Sequence, residues 1–282
     1  MSAETSRPPV PFVRRHRIVI FFVLAFVLVW AVWWTAVAAA TGLIPGLDHF
    51  PTNPGFYGLT ITALLVAILG EGKAGILDLL KRMIRVTVNP LWLLAGLAVA
   101  IALPMAAAGI DALLGRDPQV GVQLPAEQIG FYILAQVFFF WGTEELAWRG
   151  FALPRLQARF SALTSALILG VLWGVWHTPL FFLFTQGQSS YPYVAFLIFT
   201  VAESVIIAWI YARSRGSVAV AALVHTASDG TLLFSGALAG DDVFFWITTV
   251  VHVVAAVVIV LVEGPKHLAR GLAAERIAEL RA

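Results

Sequence analysis

The run IVIFFVLAFVLVWAVWWTAVAAA, residues 18–40, contains no charged side chain. A second such run, VFFWITTVVHVVAAVVIVLV, occupies residues 243–262. An α-helix of about 20 apolar residues crosses the hydrocarbon core of a bilayer, which is roughly 30 Å thick. Barrel strands are excluded because they are shorter and alternate in polarity. The sequence therefore predicts an all-α membrane protein.

The composition of the whole chain supports this class. Of the 282 residues, 60% are hydrophobic and 12% are charged, whereas a soluble domain carries about 25% charged residues. The net charge of +2 provides no basic surface for nucleic acid. Because the chain has no cysteine, disulfides, thiolate metal ligands and a cysteine nucleophile are excluded. The high hydrophobic content and the low charged content therefore indicate that the protein lies in the lipid bilayer.

The hydropathy pattern predicts about eight transmembrane segments. Their approximate bounds are 18–40, 56–70, 90–108, 129–150, 162–184, 191–212, 217–237 and 243–263. With the N-terminus inside, every Lys and Arg except Arg116 falls on the cytoplasmic side, as the positive-inside rule requires. We therefore expect a multi-pass protein of a prokaryotic inner membrane with both termini cytoplasmic. The end of the first segment resembles a signal-peptide cleavage site, but its length favours a membrane anchor.

The sequence divides into three predicted regions. Residues 1–128 form an N-terminal region with three spans and a cytoplasmic amphipathic connector at 71–89, which lies along the membrane interface or is a solvated link. Residues 129–240 form a four-helix core that carries the unusual polar side chains. Residues 241–282 contain the last span and an amphipathic tail.

Ionisable residues occur at four places within the predicted spans. They are Glu144 and Glu145 with Arg149, then His177, then Glu203, and finally His225 with Asp229. A charged group at mid-membrane costs about 2.5–3.5 kcal/mol on insertion scales, so each place needs a reason. Convergence of several helices on one cavity is the economical explanation. Carboxylate and imidazole groups together can activate a water for hydrolysis or bind a metal ion.

The spacing within each group suggests partners. Glu145 and Arg149 stand at i and i+4 on a helix and can form an ion pair. Glu144 points about 100° away and is left for chemistry, unless both glutamates only reach toward interfacial water. His225 and Asp229, also at i and i+4, could bond each other or face a wet cavity together.

The remaining two residues have less obvious partners. His177 has no ionisable neighbour on its own helix, so its partner is expected from another helix; a backbone carbonyl is the alternative. Glu203 could pair with a histidine, line the cavity or contact a substrate. On straight helices Glu144 and His177 would lie at different depths, so a shared cavity requires tilted helices or a recessed site.

Three stretches resemble the motifs of the CPBP family of intramembrane proteases, also called the Abi family, which includes the CAAX prenyl endopeptidases. Glu144-Glu145-Leu-Ala-Trp-Arg149 resembles EExxxR, Trp173-Gly-Val-Trp-His177 resembles FxxxH, and His225-Thr-Ala-Ser-Asp229 resembles HxxxN/D. Their order on successive spans also matches, over residues 130–237. Two positions depart from the usual pattern, since Trp173 replaces phenylalanine and Asp229 stands where many relatives carry asparagine.

The resemblance implies hydrolysis of a peptide bond within the membrane. It makes Glu144 the general base on a water that His177 also holds, while His225 with Asp229 stabilises the oxyanion. It makes Glu145 and Arg149 a supporting pair and Trp173 part of an apolar wall. A carboxylate cannot donate a hydrogen bond to an oxyanion, so Asp229 is either protonated or orients His225.

Several alternatives stay open from the sequence alone. A metal-dependent version of the resemblance makes Glu144, His177 and His225 ligands of a divalent ion such as zinc, with a fourth position for water. No cofactor is otherwise implied. The expected substrate is a membrane-associated peptide or protein, prenylated or simply hydrophobic. A non-catalytic immunity or scaffold protein on the same fold and a proton-coupled transporter are the rival classes, although the chain lacks the two related halves of many transporters.

Overall fold

The computed structural model describes residues 12–47, 50–86, 88–118, 120–121, 126–183, 187–235 and 241–271. Over these ranges the chain is helical and contains no strand. The elements in chain order are α1 (Phe12–Ala40), α2 (Asn53–Met83), α3 (Pro90–Leu113), α4 (Ala126–Phe140), a π-helical segment (Trp141–Ala152), α5 (Leu153–Gln157), α6 (Ala162–Trp176), α7 (Tyr193–Arg213), α8 (Val218–Phe234) and α9 (Asp242–Glu263). Two short 3₁₀ turns, Thr178–Phe182 and Gly187–Ser190, lie between α6 and α7. The predicted all-α class is confirmed.

Each of the eight predicted spans coincides with a helix. Within the described residues, five helical stretches are long and apolar enough to cross a membrane: Phe12–Ala40, Pro90–Leu113, Ala162–Phe182, Tyr193–Arg213 and Asp242–Glu263. Helix α8 is apolar but shorter. The most apolar part of α7 is 72% buried, whereas that of α1 is 28% buried, so α7 is central and α1 peripheral. The division at 128 and 240 stays a prediction, and one apolar core cluster draws on all three predicted regions.

Short polar side chains mark where several helices begin. Ser161 accepts a hydrogen bond from the Thr164 amide at 3.1 Å, and Ser217 accepts one from the Val220 amide at the same distance. Asp241 accepts from the first amides of α9. These caps satisfy backbone donors that a helix leaves free at its N-terminus. The start of α8, and hence the position of His225, is set in this way.

Glycines let α6 and α7 pack very closely. A Cβ built on Gly170 would lie 2.6 Å from Val201 Cα, and one on Gly174 would lie 2.5 Å from Thr200 Oγ1. Only glycine is compatible with such an approach, which is a common device for packing membrane helices. Because Trp173 lies between the two glycines and His177 caps the same helix, this contact determines where both side chains lie.

The segment that carries both glutamates is π-helical, which corrects the α-helical geometry assumed for it. The π-helix runs over Trp141–Ala152, and all its residues from Thr143 onward are buried. Thr60 of α2 donates to the carbonyls of Gly142 and Thr143 at 2.6 and 2.7 Å. A side chain that competes for helix carbonyls loosens the i to i−4 ladder, and π-helical turns are frequent at functional sites.

The predicted connector at 71–89 is mostly a continuation of α2, which corrects its description as a separate segment. Gly72 has φ +64° and ψ −151°, so the helix breaks there and then continues to Met83. Just before the break, Glu71 binds Arg17 at 2.7 Å and Arg155 at 2.5 Å. Of the predicted tail, residues 264–271 form turns, and residues 272–282 lie outside the described part of the chain.

Candidate active site

The predicted site residues of three different helical segments meet around one cavity. Glu144 of the π-helical segment, Trp173 and His177 at the end of α6, and His225 and Asp229 of α8 all line a cavity of about 380 Å³. The difference in depth expected for Glu144 and His177 on straight helices does not keep them apart. The shared cavity that the sequence predicted is therefore present.

Glu144 is buried and its orientation is fixed by a tryptophan. Its Oε2 accepts a hydrogen bond from Trp173 Nε1 at 2.7 Å, and the side chain is 2% exposed. A hydrogen bond to an ionised group is among the stronger ones in proteins. The tryptophan that replaces the usual phenylalanine thus contributes a donor as well as an apolar surface.

Glu145 joins the first and third motifs. Its Oε1 accepts from Arg149 Nη1 at 2.6 Å and lies 2.8 Å from His225 Nδ1. All three side chains are buried, and the Arg149 guanidinium also lies 4.8 Å from the centroid of the Trp173 indole ring. The predicted Glu145–Arg149 pair is confirmed, and its additional bond to His225 was not predicted.

His177 is held by its own helix, which corrects the expectation of a partner from another one. Its Nδ1 lies 2.8 Å from the carbonyl oxygen of Trp173. Since a carbonyl can only accept, Nδ1 carries the hydrogen of that bond, and in the neutral ring Nε2 keeps its lone pair. His177 therefore contributes an acceptor, or a ligand atom, to the cavity that it lines.

His225 stands between two carboxylates. Its Nδ1 is bonded to Glu145, and its Nε2 lies 3.6 Å from Asp229 Oδ2, beyond hydrogen-bond length. The Asp229 side chain is 42% exposed, so it opens toward the cavity. The ring of Phe140 stacks on the imidazole with centroids 4.0 Å apart. Of the two alternatives considered for this pair, the structure favours the shared cavity, since the two side chains both line it and do not hydrogen-bond each other.

Glu203 does not line this cavity, although that was one of the alternatives for it. Its Oε2 lies 3.8 Å from His252 Nε2 of α9. Pairing with a histidine is therefore the alternative that the structure favours. The histidine at position 49 was assigned no function from the sequence, and His49 lies outside the described residues.

Several further cavity residues had no signal in the sequence. Tyr132 and Gln136 of α4 line the cavity and are joined by a hydrogen bond of 3.1 Å. Phe140, Tyr191 and Phe245 supply aromatic walls. Phe and Tyr are common in membrane helices, so nothing in the sequence distinguished these aromatic residues from lipid-facing or core positions, and Gln136 carries no charge that would have singled it out.

The residues do not fit the zinc-bound alternative as they are placed. In the described part of the chain, no three His, Asp or Glu side chains stand together in a way that could hold a metal ion. Glu144, His177 and His225 share the cavity, but they do not form such a ligand set. A tetrahedral site needs three protein ligands within about 2.0–2.2 Å of the ion when they are nitrogen and oxygen. We therefore derive no step of the reaction through a metal.

The fold and the site define a class, namely a polytopic helical membrane protein with a buried carboxylate–imidazole cavity. Residues 126–231 match the family described as Type II CAAX prenyl endopeptidase Rce1-like. A stretch of 88 residues is 32% identical to CAAX prenyl protease 2 of Methanococcus maripaludis, covering 29% of this chain and 32% of that protein. The resemblance to the CPBP family is thereby confirmed for the segment that holds all three motifs.

The family match covers this core. The match ends within α8, so α1–α3 and α9 lie outside it. The chain aligns with about a third of the length of the curated relative. What the flanking helices contribute must therefore be read from this structure.

Proposed function

We propose that the protein is an intramembrane endopeptidase that hydrolyses a peptide bond of a membrane-associated substrate. The observation that carries this proposal is the arrangement of Glu144, His177 and His225 around one buried cavity. These residues come from three separate segments, and each is costly to bury in a membrane without a purpose. The confirmed family resemblance of residues 126–231 supports the same reaction class.

In this proposal a water in the cavity is activated between Glu144 and His177, since both residues line that cavity. The lone pair on His177 Nε2 can accept one hydrogen of the water, and the Glu144 carboxylate can accept the other. The oxygen of such a water then presents its own lone pair to a substrate carbonyl carbon. Glu144 takes a proton as the carbon–oxygen bond forms and returns it to the leaving nitrogen as the carbon–nitrogen bond breaks.

His225 is suited to stabilise the oxyanion that forms on the carbonyl. Its Nδ1–H is directed to Glu145 at 2.8 Å, which favours the charged imidazolium. The imidazolium can then donate Nε2–H to the oxyanion. In this proposal Asp229, 3.6 Å from Nε2, orients the imidazolium and balances its positive charge. It does not donate a hydrogen bond to the oxyanion.

A second, largely apolar groove supports a substrate that carries a hydrophobic chain. The groove has a volume of about 590 Å³ and lies between α3, α4 and α8. It shares part of its lining with the catalytic cavity, namely Tyr132, Gln136, Phe140, Asp229 and Leu233. A lipid chain in the groove would place an attached peptide at the cavity. The name of the similar protease includes prenyl, and we propose a prenylated peptide as the first substrate to test.

We also propose that the protein lies in a prokaryotic inner membrane with both termini cytoplasmic. The distribution of basic residues supports this orientation. Substrates would then reach the cavity from the cytoplasmic leaflet. Accessibility of tags at each terminus in intact cells and in opened cells tests the orientation directly.

The experiment that tests the activity uses purified full-length protein and one peptide in prenylated and unmodified forms. Wild type should release the cleaved fragment, and Glu144→Gln should not. A parallel series with a chelator tests the metal-dependent alternative, because a mechanism carried by Glu144 and the histidines alone is insensitive to it. Absence of turnover by wild type on both peptides, and in proteomic comparison of membranes with wild type and Glu144→Gln, would favour a non-catalytic protein on the same fold.

A further inference from the structure

A second buried ionisable pair lies outside the proposed catalytic machinery. Glu203 is on α7 and His252 is on α9, and neither side chain is more than 3% exposed. The residues one turn from Glu203, Phe199 and Thr200, line the catalytic cavity, whereas Glu203 and His252 do not. The pair thus lies just behind the cavity wall, between a helix of the family core and a helix outside the matched segment.

The hydrogen bonding of His252 determines which of its nitrogens faces Glu203. Its Nδ1 lies 2.7 Å from the carbonyl oxygen of Thr248, so Nδ1 carries the hydrogen of that bond. Its Nε2 faces Glu203 Oε2 at 3.8 Å. Among the described residues, neither Nε2 nor Glu203 Oε1 has a hydrogen-bond partner.

Without an additional proton, the two facing atoms would both be acceptors. A buried carboxylate opposite an imidazole lone pair, with no donor between them, is doubly unfavourable. A bridging water would hold the two atoms about 4.5 Å apart, given ordinary hydrogen-bond lengths. At 3.8 Å the gap is too short for that bridge and needs only a small side-chain rotation to become a direct hydrogen bond.

The other charged groups that act on Glu203 are already paired. These are His225 and Asp229 of α8 and Arg149 of the π-helical segment, and Ser228 of α8 approaches the same carboxylate. Arg149 is bonded to Glu145, and His225 lies between Glu145 and Asp229. On the side of α9, His252 contacts Phe199 with ring centroids 4.7 Å apart. Among the described residues, His252 is thus the ionisable group that faces Glu203 directly, at 3.8 Å.

We propose that Glu203 and His252 share one proton and form a hydrogen-bonded pair of zero net charge between α7 and α9. We call this pair the latch. The proton sits between Oε2 and Nε2, so the pair is either a carboxylic acid donating to a neutral ring or a carboxylate accepting from an imidazolium. The latch fixes α9, whose Phe245 lines the catalytic cavity. Glu203 and His252 are therefore positioning residues, and this inference does not depend on the proposed proteolysis.

The pH dependence of unfolding tests the latch, and it needs no substrate. In water a glutamate and a histidine together hold no proton above about pH 7. If the folded pair keeps one, folding takes up a proton, and this pair should contribute about a tenfold rise in the unfolding equilibrium constant per pH unit above that point. Thermal unfolding of the full chain in one detergent, between about pH 6 and about pH 9, measures this slope.

Three variants make the test decisive. In Glu203→Gln the amide can donate to His252 Nε2 without a titrating proton, so the alkaline loss of stability should become shallower by one proton. The slope that remains belongs to other groups, such as His225 beside Glu145. Glu203→Met combined with His252→Phe removes both polar groups and should show the same reduction of the slope, which preserves the test if the single variant fails to fold. Asp242→Asn removes an exposed carboxylate from the same helix and should behave like wild type. An alkaline slope in Glu203→Gln or in the double variant equal to that of wild type overturns the proposal.

Discussion

His225 Nδ1 lies 2.8 Å from Glu145 Oε1, so the third motif is bonded directly to the first. The same carboxylate oxygen holds Arg149 at 2.6 Å. The second glutamate of the first motif therefore has a function distinct from that of Glu144, which faces the cavity. It connects α8 to the π-helical segment and holds the imidazole that the proposed mechanism charges.

The base assignment predicts that Glu144→Gln lowers turnover by a factor of about 10² to 10⁴. The amide has nearly the same shape and can still accept a hydrogen bond from Trp173, but it cannot take a proton from water. Cleavage of a peptide reporter by purified protein measures the change. The melting temperature should stay close to that of wild type, and a variant with unchanged turnover would remove Glu144 from the role of base.

The buried ion pair between Glu145 and Arg149 predicts a different result for Arg149→Ala. Removing one partner of a buried ion pair leaves an uncompensated charge and costs about 3–5 kcal/mol. Both side chains of the Glu145–Arg149 pair are fully buried, so the melting temperature should fall together with activity. Glu145→Gln should also be destabilised and should in addition lose the charge that supports His225. Melting of both variants at the wild-type temperature would contradict the structural role of the pair.

The tryptophan at the position of the usual phenylalanine allows a conservative test. Trp173→Phe removes the indole donor to Glu144 Oε2 at 2.7 Å and keeps an aromatic wall. A hydrogen bond to a charged group contributes about 1.5–3 kcal/mol, so kcat should fall about tenfold or more if the bond orients the base during the reaction. Trp141→Phe is the matched control because its indole donates to a backbone carbonyl, that of Met83, and does not line the cavity. Equal kcat values for the two variants would show that the bond has no catalytic effect.

Much of the fold follows from the sequence because membrane helices need long apolar runs. All eight predicted segments coincide with helices, and the three motifs predicted one shared cavity. Which side of α6 packs against the rest of the protein could not be predicted in the same way. Its sequence is apolar on every side, so the helix is not amphipathic. The close contact of Gly170 and Gly174 with α7 determines which side of α6 is packed.

The local corrections have a common physical origin. The π-helical segment depends on a threonine, Thr60, that is distant in sequence from the carbonyls it binds. The bonding of His177 to its own helix was one of two alternatives, and spacing alone did not decide between them. Glu203 and His252 were isolated ionisable residues on different predicted spans, and one sequence contains no information on which such residues meet.

The break in α2 predicts a cost for any side chain at Gly72. Its φ of +64° is disfavoured for residues with a Cβ, although nothing lies within 4 Å of where that Cβ would stand. Gly72→Ala should therefore lower stability by about 1–3 kcal/mol through the backbone alone. Gly109→Ala is the control, since Gly109 lies in α3 with open space and an ordinary helical backbone, and it should be neutral or slightly stabilising. Equal melting temperatures for the two variants would contradict the strain at Gly72.

The apolar groove predicts that substrate preference can be changed without touching the catalytic residues. Gly230 of α8 lines the groove, and a Cβ there would meet no atom within 4 Å. Gly230→Leu should therefore fill groove volume, with open space at the point where its side chain leaves the backbone. We expect KM for a prenylated peptide to rise about tenfold or more, because a leucine side chain excludes several CH₂ groups worth about 0.8 kcal/mol each. KM for the unmodified peptide should change little.

Gly109→Leu provides the matched control for the groove, since it adds the same side chain to a helical glycine on α3 that does not line the groove. It should leave both KM values near those of wild type. If Gly230→Leu raises KM for the two peptides equally, the groove does not hold the lipid chain, and the leucine instead obstructs the cavity itself. If neither value changes, the hydrophobic part of the substrate binds elsewhere, and the proposed path from the groove through Tyr132 and Gln136 to the cavity is wrong.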